Sequence, residues 1–341
     1  MNTSVQTVPA SSSPAPTISP WTQSSSRWIE RNRQKLVLPF LVVISVLIFA
    51  SSAPGFLSLE NITNIARQSV YLMVVALAQM MVLIGGGLDL SVGSVVALSS
   101  VVGATVMAWC MQTWPDSPGL AMAAGTVAGL TCGAIVGVFN GIGSAVMRIP
   151  SFMVTLGMSS VVLGVTLLVS GGVPVYGLPA EFGEIFGFGR VAGIPVPVLI
   201  AILMIVLVYL LMEWTRYGRH LYAVGGNQRA AELSGIRTKR VSIIVFMLSG
   251  MLAALTGLLL TARLDTGEST IGATLPLESI AACVIAGVAL TGGMGRTLPV
   301  VVGTLLIVLV QNGMNLMQVG AYAQTMVVGG ILIVSMGLSR H

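Results

Sequence analysis

Charge is what this sequence has least of. Only 8% of its 341 residues are Asp, Glu, Lys or Arg, where a soluble domain carries about a quarter. Sixteen basic and 11 acidic side chains cannot clothe a chain of this length for water, so most of its surface is expected to face lipid. Lysine occurs only as Lys35 and Lys239, and neither follows a glycine. A phosphate loop, GxxxxGK followed by Ser or Thr, is therefore excluded. HExxH and GxSxG are missing too, so neither a zinc-protease helix nor a nucleophile elbow is present. The two histidines, His220 and His341, fall in polar segments and cannot form a proton relay within the membrane. The three cysteines, Cys110, Cys132 and Cys283, lie in apolar stretches without metal-ligand spacing. They read as packing residues, and no metal site is expected.

What the chain does have is apolar length. Hydrophobic residues make up 55% of it, and the mean hydropathy is +0.94. A span of the hydrocarbon core takes about 20 such residues as a helix. On that ruler ten spans fall at about 36–53, 65–85, 91–111, 119–146, 151–171, 194–213, 241–262, 277–293, 297–316 and 319–338. The expected fold is an all-α polytopic membrane protein of about ten transmembrane helices. Residues 1–35 read as a Ser/Thr/Pro-rich disordered tail ending in a basic segment, Arg27, Arg31, Arg33 and Lys35. The apolar stretch that follows lies far from the first Met, so it reads as an uncleaved helix rather than a secretory signal. Residues 36–338 form the transmembrane domain, and 172–193, with its prolines and glycines, reads as a loop with room for a short interfacial helix.

The net charge of +5 is a topology signal, because the basic residues sit in short gaps and form no stripe for nucleic acid. With the N-terminus in the cytoplasm, 13 basic residues fall inside, while Arg67, Arg190 and Arg263 alone fall outside. Ten spans then return the C-terminus to the cytoplasm. Gly125, Gly129, Gly133 and Gly137, spaced by four, mark one face of the fourth span and predict close helix packing.

Three segments between spans stand out. The longest inner loop, 214–240, is basic and contains a short helix signature. Asn227 is a natural N-cap, Gln228 to Ser234 favour helix, and Gly235 is a natural terminator. Such a helix has the shape to dock in a groove on a soluble partner, and it would serve equally as an ordinary connector. The second segment runs from Gly85 to Gly93. Gly86 and Gly87 break the chain, and Asp89 or Ser91 is expected at the inner edge as a cap for the next helix, ahead of any direct role with solute. The third, Leu290 to Thr297, has similar grammar and hints at a duplicated architecture. Polar residues inside the spans are few. Gln79, Asn140, Asn312 and Asn315 are candidates for a solute pathway, although interhelical bonding accounts for each as readily.

Several blocks together resemble the membrane subunits of ribose/xylose/galactoside-type ABC importers. These are GGLDLSVG at Gly86–Gly93, Asn140-Gly141, IPSFMVTLG at Ile149–Gly157, and YGRHLYAVGGNQRAAELSG at Tyr217–Gly235. Ser249-Gly250, Ala262-Arg263-Leu264, Leu290–Gly293 and Gln311–Leu316 complete the set. The similarity runs in order from about Phe56 to the C-terminus. It departs at Leu275-Pro276-Leu277-Glu278, where a Tyr-Glu-Leu-Asp pattern is more usual, and at Glu232, an unexpected acid in the loop helix.

The resemblance implies a type II importer-like permease fold in the bacterial inner membrane and a passive pathway for a monosaccharide or similar small sugar. It implies that the loop helix (Asn227, Ala230, Ala231, Glu232, Leu233, Ser234 and Gly235) is a coupling helix to a separate ABC ATPase. That subunit would bind ATP and Mg, leaving this chain with no cofactor and no catalytic role. A periplasmic sugar-binding protein and a second permease subunit, identical or related, are the other implied partners. An ion-coupled secondary transporter is the alternative, and it is weakened because no ionisable residue falls near the middle of a span. A membrane enzyme or scaffold would need catalytic residues or a sizeable soluble domain, and neither is visible.

Overall fold

The computed structural model describes residues 38–338; the expected N-terminal tail lies outside the described residues. Thirteen helices follow in order: α1 (Leu38–Ser52), α2 (Leu59–Ile84), α3 (Val92–Thr113), α4 (Pro118–Ala145), α5 (Ser151–Ser170), α6 (Ala180–Phe182), α7 (Val196–Trp214), α8 (Arg216–Gly226), α9 (Gln228–Leu233), α10 (Thr238–Leu264), α11 (Leu275–Ile285), α12 (Thr297–Leu316) and α13 (Ala321–Leu338). Seven of them, α2, α3, α4, α5, α7, α10 and α12, are long and apolar enough to cross a membrane. A helix stands at each of the ten apolar stretches, but α1 and α11 are shorter apolar helices.

The 172–193 stretch does contain its short helix, α6, which runs into a π-helical turn at Gly183–Gly187. A two-stranded antiparallel hairpin follows, β1 (Arg190–Val191) with β2 (Ile194–Pro195).

Burial ranks the helices. In the apolar window of α2, 89% is buried, against 17% in α5, 22% in α7 and 28% in α4. The centre is therefore α2, surrounded by α10, α11, α12 and α7, while α4, α5 and α7 present apolar faces outward, as lipid requires. Packing of α4 on α10 uses the glycine face anticipated above. A Cβ at Gly133 would run into the Gly250 carbonyl and come within 2.6 Å of the Ala254 Cβ; one at Gly137 would strike the Phe246 carbonyl. Backbones at that separation leave no room for a methyl group.

The link between α10 and α11 folds back into the bundle. Asp265, at φ 56°, ends α10. From there Gly267 lies against Ala104, and Gly272 lies against Val96 and the Gly93 carbonyl. The segment thus runs along α3 from its middle to its first turn before α11 begins. With 11 residues, α11 is about 17 Å long, roughly half a bilayer core. This corrects the eighth expected span, 277–293. Leu275 and Pro276 open a half-length helix that starts beside α3, and residues 286–293 of the expected span are not helical.

Candidate functional site

Two helices end in the same way. At the end of α2, Gly85 N–H donates to the Met81 carbonyl (3.1 Å), Gly86 to Leu83 (2.9 Å) and Gly87 to Val82 (2.9 Å). At the end of α11, Ala286 donates to Ala282 (3.1 Å), Gly287 to Val284 (2.9 Å) and Val288 to Cys283 (2.9 Å). Gly86 and Gly287 take φ of 79° and 81°, the left-handed conformation such endings require. The similar grammar of the two breaks is thus structural. It aligns Gly86 with Gly287, earlier than the 290–297 stretch where the second break was expected.

The first break, 85–91, is held by the blocks that carry the family resemblance. Leu88 N–H donates to Ser151 Oγ (2.9 Å) and Leu90 N–H to Thr155 Oγ1 (3.1 Å), both on α5. Asp89 is buried. Its Oδ1 accepts from the Ser91 N–H (3.0 Å) and Ser91 Oγ (2.6 Å), and its Oδ2 from Ser249 Oγ (2.9 Å) on α10. Asn140 Nδ2 of α4 donates to Ser91 Oγ (2.8 Å).

One expectation is corrected here. Ser91 occupies the N-cap position of α3 but makes no side-chain cap bond, because its hydroxyl is spent on Asp89. Asp89 instead accepts the Ser91 N–H at the start of α3, and its other oxygen reaches Ser249 within the 27-residue α10. Asp89 ties α3 to α10, and through Ser91 to α4. Gly93, in the first turn of α3, packs against Gly272 O (2.6 Å from an added Cβ) and Pro276.

The loop 214–240 contains two helices. Thr215 Oγ1 caps α8 by accepting from Gly218 N–H (3.2 Å). Asn227 then ends α8 and caps α9, accepting from Ala230 N–H (2.9 Å), and Gly235 (φ 82°) terminates α9. Asn227 and Gly235 therefore act as the sequence indicates. The unexpected acid has a local use, as Glu232 Oε1 accepts from Thr238 Oγ1 (3.0 Å) and its Oε2 lies 3.5 Å from Arg229. Ala231 faces inward, whereas Ala230, Ser234 and Leu233 are exposed, Leu233 to 78%.

The base of α8 meets both breaks, which sequence spacing gave no means to foresee. Gly293 N–H donates to the Ile84 carbonyl (2.9 Å), joining second break to first. Over that bond sits Gly225, whose added Cβ would strike the Ile84 carbonyl and lie 2.7 Å from Gly293 N. Leu221 is fully buried against Gly85, and Tyr222 OH donates to the Gly295 carbonyl (2.9 Å). Burial, reinforced by Glu213 and opposed by Arg296, pushes the Tyr222 phenol up to about 12. It keeps its proton, and remains a donor, throughout the neutral range. Tyr217, also raised by burial, donates to the Val241 carbonyl (3.1 Å) at the start of α10.

The four polar candidates separate. Asn312 forms a reciprocal amide pair with Asn61, at 2.9 and 3.1 Å. Asn315 is exposed at the end of α12. Gln79 is fully buried, and neither amide atom has a protein partner; Asn140 Oδ1 is likewise unpartnered. Among the described residues no three His, Cys, Asp or Glu side chains gather as a metal site.

The family of branched-chain amino acid transport system permease components matches residues 61–336. The chain belongs to this family. Its relatives extend the match over nearly the whole molecule. The ribose import permease protein RbsC of Bacillus subtilis is 36% identical over 304 residues, 89% of this chain and 92% of that one. The D-allose transport system permease protein AlsC of Escherichia coli is 35% identical over 88% and 90% of the two chains. The L-arabinose ABC transporter permease protein AraH of Azospirillum brasilense is 35% identical over 100% and 97%. No solved structure matches. The permease is thus a multi-pass membrane transport component and not itself an enzyme.

Proposed function

We propose that this permease forms the passive pathway of an ATP-driven importer for a monosaccharide, in the inner membrane of a bacterium. What carries the reading is the end-to-end similarity to permeases named for ribose, allose and arabinose. The family's description names branched-chain amino acids, but those individual relatives, at 35–36% identity, are sugar permeases. Two copies of the chain, or one with a related subunit, work with an ABC ATPase that binds ATP and Mg and with a periplasmic sugar-binding protein. The ten apolar helical segments traverse the bilayer with both termini in the cytoplasm, α11 completing its traverse together with the segment that folds in before it. Residues 227–235, with Leu233 exposed on α9, dock into the ATPase. Gln79 and Asn140 are the pathway's polar groups, since their free amide atoms suit sugar hydroxyls; Asn312 is committed to Asn61.

Proteoliposomes containing the permease, its ATPase and its binding protein test this directly. Uptake of ribose, allose or arabinose is expected to require ATP and to survive an uncoupler. Uptake of leucine alone would replace the sugar reading. Uptake that collapses with the uncoupler while ATP is maintained would establish an ion-coupled transporter instead.

A further inference from the structure

We propose that Tyr222 and Gly225 of α8 are positioning residues, through which displacement of α9 is delivered to both glycine-ended breaks together. This rests on the reading of α9 as the ATPase dock.

The geometry permits little slack. Between α8 and α9 there is a single residue, Asn227, which ends one helix and caps the other. At its base α8 touches the breaks backbone to backbone. A Cβ on Gly225 has no space above Ile84 and Gly293, and one on Gly292 would lie 2.7 Å from the Gly225 carbonyl and 2.8 Å from Gly86 Cα. Side chains absorb small displacements by changing rotamer, but glycine backbones in contact cannot. The Gly293–Ile84 bond makes the two breaks one body at this point. Two tyrosines add tethers, Tyr222 to Gly295 and Tyr217 to Val241. Beyond the junction, the first break leads to Asp89 and Ser91, and so to the start of α3 and the middle of α10. A push on α9 therefore reaches α2, α3, α10 and α11 through one contact.

The neighbouring glycine supplies the control. The Gly226 backbone packs beside Gly293, but an added Cβ at Gly226 meets nothing within 4 Å, so Gly226→Ala adds a methyl group at the same turn and leaves the junction contacts in place. The reporter is Met294→Cys, in the second break and 64% exposed in the native side chain. In the assembled complex, maleimide labelling of this cysteine is compared with and without ATP, which requires no transported solute.

The labelling rate is expected to change on ATP addition in the otherwise native complex and with Gly226→Ala. Tyr222→Phe, which removes one hydroxyl, should shrink that change by about three- to tenfold, the range one hydrogen bond is worth. Gly225→Ala should shrink it further, and the ATPase should co-purify with both variants. An ATP response undiminished in both variants overturns the proposal, as does a native complex whose reporter ignores ATP. Loss of the ATPase from Tyr222→Phe would make α8 part of the dock and overturn it too. Leu233→Asp separates the two failures: undiminished ATPase binding there counts against the docking reading, whereas an undiminished ATP response in both Tyr222→Phe and Gly225→Ala with ATPase bound counts against the junction alone.

Discussion

A buried amide can stand in a membrane bundle for two reasons, and the neighbours decide which. Asn312 gives and takes a hydrogen bond with Asn61, whose Nδ2 also donates to the Phe56 carbonyl (2.8 Å). This pair closes α2 against α12. Asn312→Ala strips Asn61 of both interhelical bonds, and the expected cost is about 1–2 kcal/mol, read as a lower unfolding midpoint in detergent, with the KM for sugar uptake unchanged. A raised KM at native stability would return Asn312 to the pathway. The sequence showed that Asn312 was polar in an apolar span, but its partner lies 251 positions away and no local pattern points there. Asp89 shows the same limit. Its type suits a cap, and its position between two apolar runs suits an edge. Only the path of the break, folding inward along α5, places it beside Ser249.

At the level of elements, the glycines of α4 and α5 look alike in sequence and differ in consequence. Gly133 is pressed against the Gly250 carbonyl, whereas a Cβ at Gly164 of α5 meets nothing within 4 Å. Gly133→Ala should force α4 from α10 and cost about 1–3 kcal/mol through overpacking. Gly164→Ala should leave stability unchanged or raise it by up to about 1 kcal/mol, the helix preference for alanine. Unfolding of the two variants in one detergent checks the pair, and equal effects would mean that the α4–α10 contact is not this tight. The four-residue spacing of Gly125 to Gly137 made the packing face legible. The end of α11 was less so, because Gly287, Gly292, Gly293 and Gly295 all follow within ten positions and hydropathy cannot say which one stops the helix. Capping geometry decides for Gly287.

For the whole molecule, the charge partition and the glycine junction bear on the same question by separate routes. Counting Arg and Lys assigns the 85–93 break, the 214–240 loop and the 290–297 break to one side of the membrane. The contacts among Ile84, Gly225 and Gly293 require their junction to lie together, a demand that uses no charge at all. A different order of spans would have separated them. Which side of the bilayer this is remains a matter of charge, since contacts are blind to orientation. In the proposed orientation, with thirteen basic residues inside against three outside, the junction faces the cytoplasm, where an ATPase would reach α9. Arg229, exposed on α9, and Asp116, exposed between α3 and α4, are then expected on opposite faces. Cys110 and Cys283 are buried and Cys132 is half-buried, so single reporters at these two sites are best read against a native background with Cys132 replaced by Ala. In intact cells a membrane-impermeant maleimide should label Asp116→Cys, and should reach Arg229→Cys only after the membrane is opened. Labelling of Arg229→Cys in intact cells would invert the molecule and remove α9 from the reach of any cytoplasmic motor.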